Sequence, residues 1–214
     1  GNDIECHGIL AYNSSSTLIN KNTVNVYAES FEIVRGIYLW SSRNTRILNS
    51  HVNHTGEYSY AIDVYVSDNT TISDTNITGD NPQGVYSSIY IHHNSNNTLI
   101  KNVKMKCRNT KCIEGYVDCS NTTITDSEIT LSYPSKSNSF AISTYKVNNW
   151  TINNSRIMAE GANGEGVDIA YSNVTIFNTN ITVSGSSARV LIVSHSSANV
   201  TDSILNSVYS DAIS

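Results

Sequence analysis

Three carboxylates recur in the middle of short, mostly apolar runs. Asp63, Glu114 and Asp168 lie in the runs IDV, IEG and VDI. If these runs are equivalent strands of one stacked sheet, the carboxylates share a column and are about 10 Å apart, two strands from one to the next. That separation is near the upper limit for the carboxylate pair of an inverting glycosidase. Because no cationic residue is evident beside them, we interpret them as solvated surface carboxylates and predict no catalytic residues.

A column of rings is predicted two positions after the middle of each run. Such rings can stack on one another, pack against another subunit or stack on sugars, and the sequence leaves these three uses open. The last two equivalent positions hold Ala170 and Val193 instead of rings. The predicted ring column is Tyr12, Trp40, Tyr65, His92, Tyr116 and Tyr145.

The histidines give no metal-site pattern. His92 and His93 are adjacent, so on a regular strand their side chains are expected to point to opposite faces. His51 and His54 lie near a predicted corner without a cysteine or carboxylate cluster. We therefore predict no metal ligands and no cofactor.

The four cysteines allow one intrachain disulfide. Cys107 and Cys112 are predicted to pair. Cys6 lies about four coils, roughly 19 Å, from the other cysteines, too far for a disulfide. Cys6 and Cys119 are then left over, either as free thiols or as an interchain disulfide in an oxidising environment.

A repeat of about 26 residues organises the chain. Eight apolar anchors, from Ile19 to Val200, follow one another at intervals of 24 to 28 residues. The fifth residue after each anchor is always apolar. The second residue after the anchor is Asn or Asp in seven of eight copies, which predicts a stacked ladder of side chains at one corner. These seven residues are Asn49, Asp74, Asn102, Asp126, Asn154, Asn178 and Asp202.

Stacking of the repeats predicts the fold class. One copy cannot bury its own apolar side chains, whereas stacked copies share a continuous core. We predict an all-β, right-handed parallel β-helix of about eight coils with three short strands per coil, forming a single domain over residues 1–214. Loops are expected at 79–87, 106–112, 133–140 and 161–166.

Neither end of the chain shows a helical or polar cap. The residues 211–214 resemble the start of a further strand, so Ala212 and Ile213 are predicted to stack on a neighbouring copy, which would give a homopolymer. The alternative is that a missing domain or a fold-back loop covers this end.

Composition restricts the partners. The chain has 214 residues, a formal net charge of −5 and 14% charged residues. This mildly acidic balance gives no reason to expect nucleic acid. No segment has the roughly 20 consecutive apolar residues that a membrane span requires.

The coil motif, I-x-N/D followed three residues later by an apolar residue and preceded by N-T, resembles right-handed parallel β-helix proteins. These include pectate lyases, polygalacturonases, phage tailspikes and NosD-like repeat proteins. The coils rich in Asn, Ser, Thr and Tyr look most like surface, adhesin-like and sheath proteins of methanogenic archaea. The G-H-G, R-I-K and D-P-H motifs of the enzyme branches are absent from the sequence.

The resemblance and the missing motifs together lead to a functional prediction. We predict that the chain is not an enzyme but a structural extracellular protein of the cell envelope, assembling by end-to-end stacking and lateral packing into a sheath, surface layer or filament. The alternative is a carbohydrate-binding or polysaccharide-degrading β-helix, with glycans as partners.

Overall fold

The computed structural model describes residues 5–28, 33–81, 86–132, 140–161 and 164–208. These residues form three parallel sheets of eight strands each, and no helix occurs among them. Successive strands of one sheet lie three elements apart in the chain, so every coil contributes one rung to each sheet. The predicted all-β right-handed parallel β-helix is therefore confirmed. Within the described part of the chain, nothing helical could cross a membrane.

The three sheets differ in strand length. The long-strand sheet comprises β1 (Glu5–Tyr12), β4 (Ile33–Trp40), β7 (Ser59–Tyr65), β10 (Ser87–His92), β13 (Lys111–Tyr116), β16 (Phe140–Tyr145), β19 (Glu165–Ala170) and β22 (Arg189–Ser194). The second sheet comprises β2 (Leu18–Asn20), β5 (Arg46–Leu48), β8 (Thr71–Ser73), β11 (Leu99–Lys101), β14 (Thr123–Thr125), β17 (Trp150–Asn153), β20 (Asn173–Phe177) and β23 (Ser197–Thr201). The third sheet comprises β3 (Thr23–Ala28), β6 (His51–Gly56), β9 (Asn76–Asp80), β12 (Lys104–Arg108), β15 (Glu128–Ser132), β18 (Arg156–Glu160), β21 (Asn180–Ser184) and β24 (Ile204–Val208).

The core runs along the solenoid axis. Inward-facing Ile and Val side chains from all three sheets form one continuous cluster, because each rung covers the apolar side chains of the next. The anchor isoleucines of the second sheet are at its centre. From Ile47 to Ile176 the anchors are fully buried.

Two details of the predicted strands are wrong. In β22, Ile192 pairs with Asp168 and Ser194 pairs with Ala170, one residue later than the sequence pattern indicates. The run VLIV contains no polar residue that would fix its alternation. The predicted loop 106–112 is mostly strand, because β12 continues to Arg108 and β13 begins at Lys111.

Left-handed residues make two of the corners of each coil. The corner after the second sheet is the Asx corner, with φ between 46° and 56° on all eight rungs. The corner after the long-strand sheet, the ring corner, has φ between 47° and 54° on all eight rungs. Asn and Asp adopt this conformation more readily than other side chains. The Asx corner is Lys21 and the seven predicted residues Asn49, Asp74, Asn102, Asp126, Asn154, Asn178 and Asp202; the ring corner is Asn13, Ser41, Val66, His93, Val117, Lys146, Tyr171 and His195.

Side-chain amides link neighbouring rungs at the Asx corner. Asn102 Nδ2 donates to Asp74 Oδ1 at 2.6 Å, and Asn178 Nδ2 donates to Asn154 Oδ1 at 2.7 Å. A further asparagine ladder, not predicted, precedes the second sheet. Its hydrogen bonds run from Asn69 to Asn44, from Asn121 to Asn97 and from Asn149 to Asn121.

One histidine lies inside the solenoid. The His54 ring hydrogen bonds to Ser59 Oγ at 2.9 Å and to Ser88 Oγ at 2.8 Å. Burial lowers the pKa of His54 to about 4. Gly79 makes room for this ring, since a Cβ there would lie 2.2 Å from His54 Nε2.

All four cysteines are free thiols, so the predicted Cys107–Cys112 disulfide is not formed. Burial, reinforced by the neighbouring Cys107, raises the pKa of the Cys112 thiol, whose Sγ lies 3.8 Å from the Thr130 carbonyl oxygen. Cys119 is fully buried, with its thiol 3.3 Å from the carbonyl of Ile91, whereas Cys6 is exposed. A buried Cys119 cannot reach another chain, which argues against the predicted interchain pairing with Cys6. The predicted stacking residues Ala212 and Ile213 lie outside the described residues.

Candidate functional site

The outer face of the long-strand sheet brings the predicted carboxylates into one column. Asp63 of β7 pairs with Tyr90 of β10, and Tyr90 pairs with Glu114 of β13. Ser143 and Asp168 continue the column on the next two rungs. The three carboxylates are thus two rungs apart, as predicted, and the outer face of this sheet is called the long-strand face below.

Asp63 is not a solvated surface carboxylate, contrary to the sequence-based prediction. It is 1% exposed, with Arg35 Nε donating to Oδ2 at 2.6 Å and His92 Nε2 lying 2.7 Å from Oδ1. Arg35 is 28 residues before Asp63 and His92 is 29 after it, one coil in each direction. The sequence analysis missed these partners because they neighbour Asp63 in the coils before and after it and are far from it along the chain. A search for charged residues one coil length away would have found them.

Arg35 also connects the cluster to its surroundings. Its guanidinium lies 3.2 Å from Glu5 and 4.4 Å above the centre of the Tyr38 ring. Burial alone would lower the pKa of Arg35, but the charge and the hydrogen bond of Asp63 outweigh burial and raise it. The Arg35 guanidinium therefore stays protonated beside Asp63.

Tyrosines cover the buried carboxylate. Burial, reinforced by the charge of Asp63, raises the pKa of Tyr38 to about 12. The pKa values of Tyr60 and Tyr90 are raised as well, again mainly by burial. The Tyr60 and Tyr90 rings stack with their centres 5.5 Å apart. Their hydroxyls stay protonated at neutral pH and act as neutral hydrogen-bonding groups.

His92 and His93 lie on the same side of the chain, contrary to the expectation for a regular strand. The strand β10 ends at His92, and His93 turns back with φ 51°. The two Nδ1 atoms are 2.8 Å apart. Because Asp63 accepts from Nε2 of His92, this network assigns the ring proton of neutral His92 to Nε2 and leaves a lone pair on Nδ1. A general base and a metal ligand both require such a lone pair.

A second charged group lies further along the same face. Glu114 accepts hydrogen bonds from Ser87 Oγ and from Lys111 Nζ, each at 2.5 Å. Burial raises the pKa of Asp168, opposed by the charges of Arg189 and Lys111. Each column carboxylate therefore has a cation near it, which the sequence-based prediction excluded.

The predicted rings form a continuous ladder beside this column. The ring centres of Tyr12 and Trp40 are 4.9 Å apart, those of Tyr65 and His92 4.9 Å, and those of Tyr116 and Tyr145 5.4 Å. The rings of Tyr12 and Trp40 are about half exposed, so a ligand can reach them.

Two further rings extend the ladder where the predicted column ends. Tyr171 contacts Tyr145 at 5.6 Å, and His195 stacks on Tyr171 at 4.9 Å with an interplanar angle of 5°. Both residues are at the ring corner, Tyr171 one position after Ala170 and His195 two positions after Val193 of the predicted column, and their left-handed φ turns them to the same side. Tyr171 was missed because a tyrosine does not indicate a left-handed residue, and His195 was missed because the register of β22 was predicted one residue too early.

The described residues contain no group of three or more His, Cys, Asp and Glu side chains that could hold a metal ion. The candidate site is an open, ring-lined face with one buried ion-pair cluster, which consists of Asp63, Arg35 and His92. It offers aromatic surfaces for stacking, a second set of charged groups, and a basic nitrogen at its centre.

Several solved structures are similar to this chain at low identity. The A-module of the mannuronan C-5 epimerase AlgE6 of Azotobacter vinelandii is 11% identical, with 97% of this chain and 79% of that chain covered and a TM-score of 0.47. The catalytic domain of an α-1,3-glucanase in complex with tetrasaccharides is 10% identical, with 96% and 61% covered and a TM-score of 0.30. HetL, a pentapeptide repeat protein from Nostoc, is 12% identical, with 95% and 85% covered and a TM-score of 0.27.

The prediction that the chain is not an enzyme is wrong. It depended on carboxylates without partners, whereas Asp63 is buried between Arg35 and His92, and two of the similar structures are enzyme modules.

Sequence comparison identifies the family. No curated protein matches the chain. The family model described as "Right handed beta helix region" matches residues 35–207, which include most of the ring ladder and the whole of the Asp63 cluster. The chain belongs to the right-handed β-helix family.

Proposed function

We propose that the chain binds an extended polysaccharide along the long-strand face and performs acid–base chemistry on it at the Asp63 cluster. The observation that carries the proposal is the buried Asp63 carboxylate, held by Arg35 and His92 beside a ladder of partly exposed rings. A buried carboxylate that orients a histidine is a common arrangement for proton transfer.

The ring ladder supports a polymeric ligand. It runs over eight rungs, about 34 Å at the spacing of paired strands. Sugar rings have apolar faces that pack on aromatic side chains, and their hydroxyls need hydrogen-bonding groups alongside. The column of carboxylates, cations and tyrosine hydroxyls beside the ladder supplies those groups.

The carboxylates favour proton transfer over glycoside hydrolysis. Hydrolysis uses a pair of carboxyl groups at most about 9.5 Å apart, and two rungs separate Asp63 from Glu114 by about that distance or more. Both carboxylates are already bonded to cations. His92, oriented by Asp63, instead abstracts or returns a proton, while Arg35 holds the Asp63 carboxylate in place.

Binding and turnover on a panel of acidic and neutral polysaccharides test this function. Depletion from solution and Trp40 fluorescence report binding, and deuterium incorporation from heavy water at sugar carbons reports proton transfer. Trp40→Ala and Tyr145→Ala should weaken binding, whereas Phe177→Ala, an exposed ring on the second sheet, should not. Asp63→Asn should lower the exchange rate about 100-fold, with the exposed Asp118→Asn as the matched control.

Two results would reject the proposal. One is ring-ladder variants that bind like the wild type. The other is equal exchange rates for Asp63→Asn and Asp118→Asn.

The predicted envelope building block is a second candidate. The observation that favours it is the half-exposed rings of Tyr12, Trp40 and Tyr171, which lateral packing of a second copy would cover. This role implies an extracellular location and self-assembly, both of which stay predictions. Electron microscopy and light scattering of the purified chain test it: ordered polymers that Trp40→Ala disperses support it, and a strict monomer at high concentration contradicts it.

A further inference from the structure

We propose that His92 and His93 form a binding site for a divalent late transition metal of the copper(II) or nickel(II) class. The site lies at the end of β10, where the chain enters the ring corner. It does not depend on the proposed function, because the ligands are defined in the protein alone.

The separation of the two nitrogens suits neighbouring ligands of one metal ion. The Nδ1 atoms are 2.8 Å apart. With metal–nitrogen bonds of about 2.0–2.1 Å this separation corresponds to an angle of about 90° at the metal. Such an angle belongs to square-planar and octahedral sites, which copper(II) and nickel(II) prefer, and is too small for a tetrahedral zinc site. The present contact is a hydrogen bond, so modest ring rotations are needed to direct both lone pairs at the ion; the His93 ring is exposed, with the Tyr65 ring 5.3 Å from it.

The left-handed conformation of His93 creates the pair. On a continuing strand its side chain would point away from His92. With φ 51° it returns to the same side. His195 holds the position equivalent to His93 four rungs along the face and also has a left-handed φ. Its ring Nδ1, however, contacts Ser194 Oγ at 3.1 Å and not a second imidazole.

The surroundings of His92 are those of a metal ligand. Histidines that bind metals nearly always donate their other ring N–H to a carboxylate or carbonyl, which fixes the ring and increases its basicity. Nε2 of His92 lies 2.7 Å from Asp63, which Arg35 holds in turn at 2.6 Å. The lone pair on Nδ1 accepts from His93 in the unbound pair and can turn to a metal ion once that hydrogen bond is broken, while Asp63 continues to hold Nε2.

Binding requires no net loss of protons and no redox change. In the unbound pair, His93 Nδ1–H donates to His92 Nδ1. When the metal binds, the proton of His93 shifts to its solvent-facing Nε2, so both rings act as neutral ligands. The other coordination positions are open to water or to a hydroxyl group, since no third His, Cys, Asp or Glu joins the pair among the described residues. Copper(II) forms the strongest complexes in the first-row series and is the best probe of a site with two protein ligands.

Calorimetric titration of the purified chain with copper(II), without any glycan, tests the site. His93→Asn keeps a residue that tolerates the left-handed conformation and removes one ligand. We expect its copper affinity to be at least about tenfold lower than that of the wild type. His195→Asn is the matched control, at the same corner of another rung, and should leave the affinity unchanged. Electron paramagnetic resonance should show hyperfine coupling to two imidazole nitrogens in the wild type and to one in His93→Asn.

Two outcomes would overturn the proposal. One is equal affinities in the wild type and His93→Asn. The other is an equal loss in His93→Asn and His195→Asn, which would mean that single surface histidines account for the binding. Circular dichroism of each variant verifies that it is folded. Failure of polysaccharide binding would leave the copper result unaffected, so the two proposals fail separately.

Discussion

The Asx corner and the ring corner have the same backbone and very different side chains. Each has a left-handed residue on all eight rungs, within the narrow φ ranges of 46–56° and 47–54°. At the Asx corner seven of the eight residues are Asn or Asp, which favour this conformation. At the ring corner Val66, Val117 and Tyr171 adopt it, although it costs such residues roughly 1–2 kcal/mol each.

The difference separates a structural corner from a functional one. Asx side chains stabilise the turn they make, by bonding to the next rung. At the ring corner Val66, Val117 and Tyr171 do not favour the turn, and the side chains of His93, Tyr171 and His195 join the ring ladder. Strained residues persist where the surrounding structure holds them, and they concentrate at functional sites. The strain at the ring corner therefore supports the assignment of function to this side of the solenoid.

The largest expected effect is a loss of folding stability in acid, caused by the buried His54. It tests whether the packed interior supplies the stability that keeps the ring corner in its strained conformation. His54 has a pKa of about 4 in the folded chain against 6.5 when exposed. The unfolded chain therefore binds more protons between these values, and folding stability is complete above pH 6.5 and falls as the pH decreases towards 4. We expect a loss of roughly 3 kcal/mol, measured by urea unfolding at pH 7 and pH 4.

A variant isolates the contribution of the interior histidine. His54→Gln should be less stable than the wild type at pH 7 but should lose much less stability on acidification. The same substitution at His51, on the outside of the third sheet, should leave the pH dependence of the wild type intact. If His54→Gln and the wild type lose the same unfolding free energy between pH 7 and pH 4, then protonation of His54 is not the cause of the pH dependence.

The second effect breaks the Asx corner. Asn178→Val puts a β-branched residue at φ 46° and removes the hydrogen bond to Asn154. We expect the free energy of unfolding to fall by about 2–3 kcal/mol, from the left-handed strain and the lost bond. Asn173→Val, in the extended strand β20, is the control and should change stability little. Equal effects of the two substitutions, by thermal or urea unfolding, would contradict a conformational cause.

The third effect is a gain in stability, because the substitution removes left-handed backbone strain at the ring corner. Val66 has φ 49° and is 39% exposed. Val66→Asn should raise the free energy of unfolding by about 1 kcal/mol. Val193→Asn, on the extended β22, should be destabilising, since valine suits a strand better than asparagine. A loss of stability in Val66→Asn would mean that valine packing there outweighs backbone strain.

The smallest effect concerns a ring-corner histidine. His195→Asn gains a better left-handed residue but loses the stack on Tyr171. The gain from the better left-handed residue and the loss of the stacking contact are similar in size, so the change in unfolding free energy should stay within about 0.5 kcal/mol. A much larger loss would show that the ring ladder stabilises the fold, and the distinction between the two corners would then be weaker.

The fold was predictable because its signals are local and repeated. The anchor isoleucines and the Asx residues recur at nearly constant intervals, and each carries a physical reason for its position. The long-strand register failed at Ile192, where four consecutive apolar residues hide the alternation. The loop prediction failed at Cys107, which is buried in β12 as an apolar residue.

The candidate site was less predictable because it is formed across rungs. The ring column could be read along the repeat, but the partners of Asp63 could not, since Arg35 and His92 are each a full coil away in the chain. The pairing of His92 with His93 depends on one backbone torsion that no residue type indicates. Predicting contacts between neighbouring coils requires the exact length of each coil, and this length varies from 24 to 28 residues.

The regular spacing of the ring ladder has a consequence for how a bound polymer would be held. A ladder repeated rung after rung offers a long chain many nearly equivalent positions, and moving by one rung exchanges one stacking contact for another. With the proposed function, the ladder would retain a polymer while letting it slide. Asp63 with its two partners occurs on one rung alone among the described residues, and it breaks this translational symmetry. It would act as the stop that decides which unit of the polymer halts at the centre of the face.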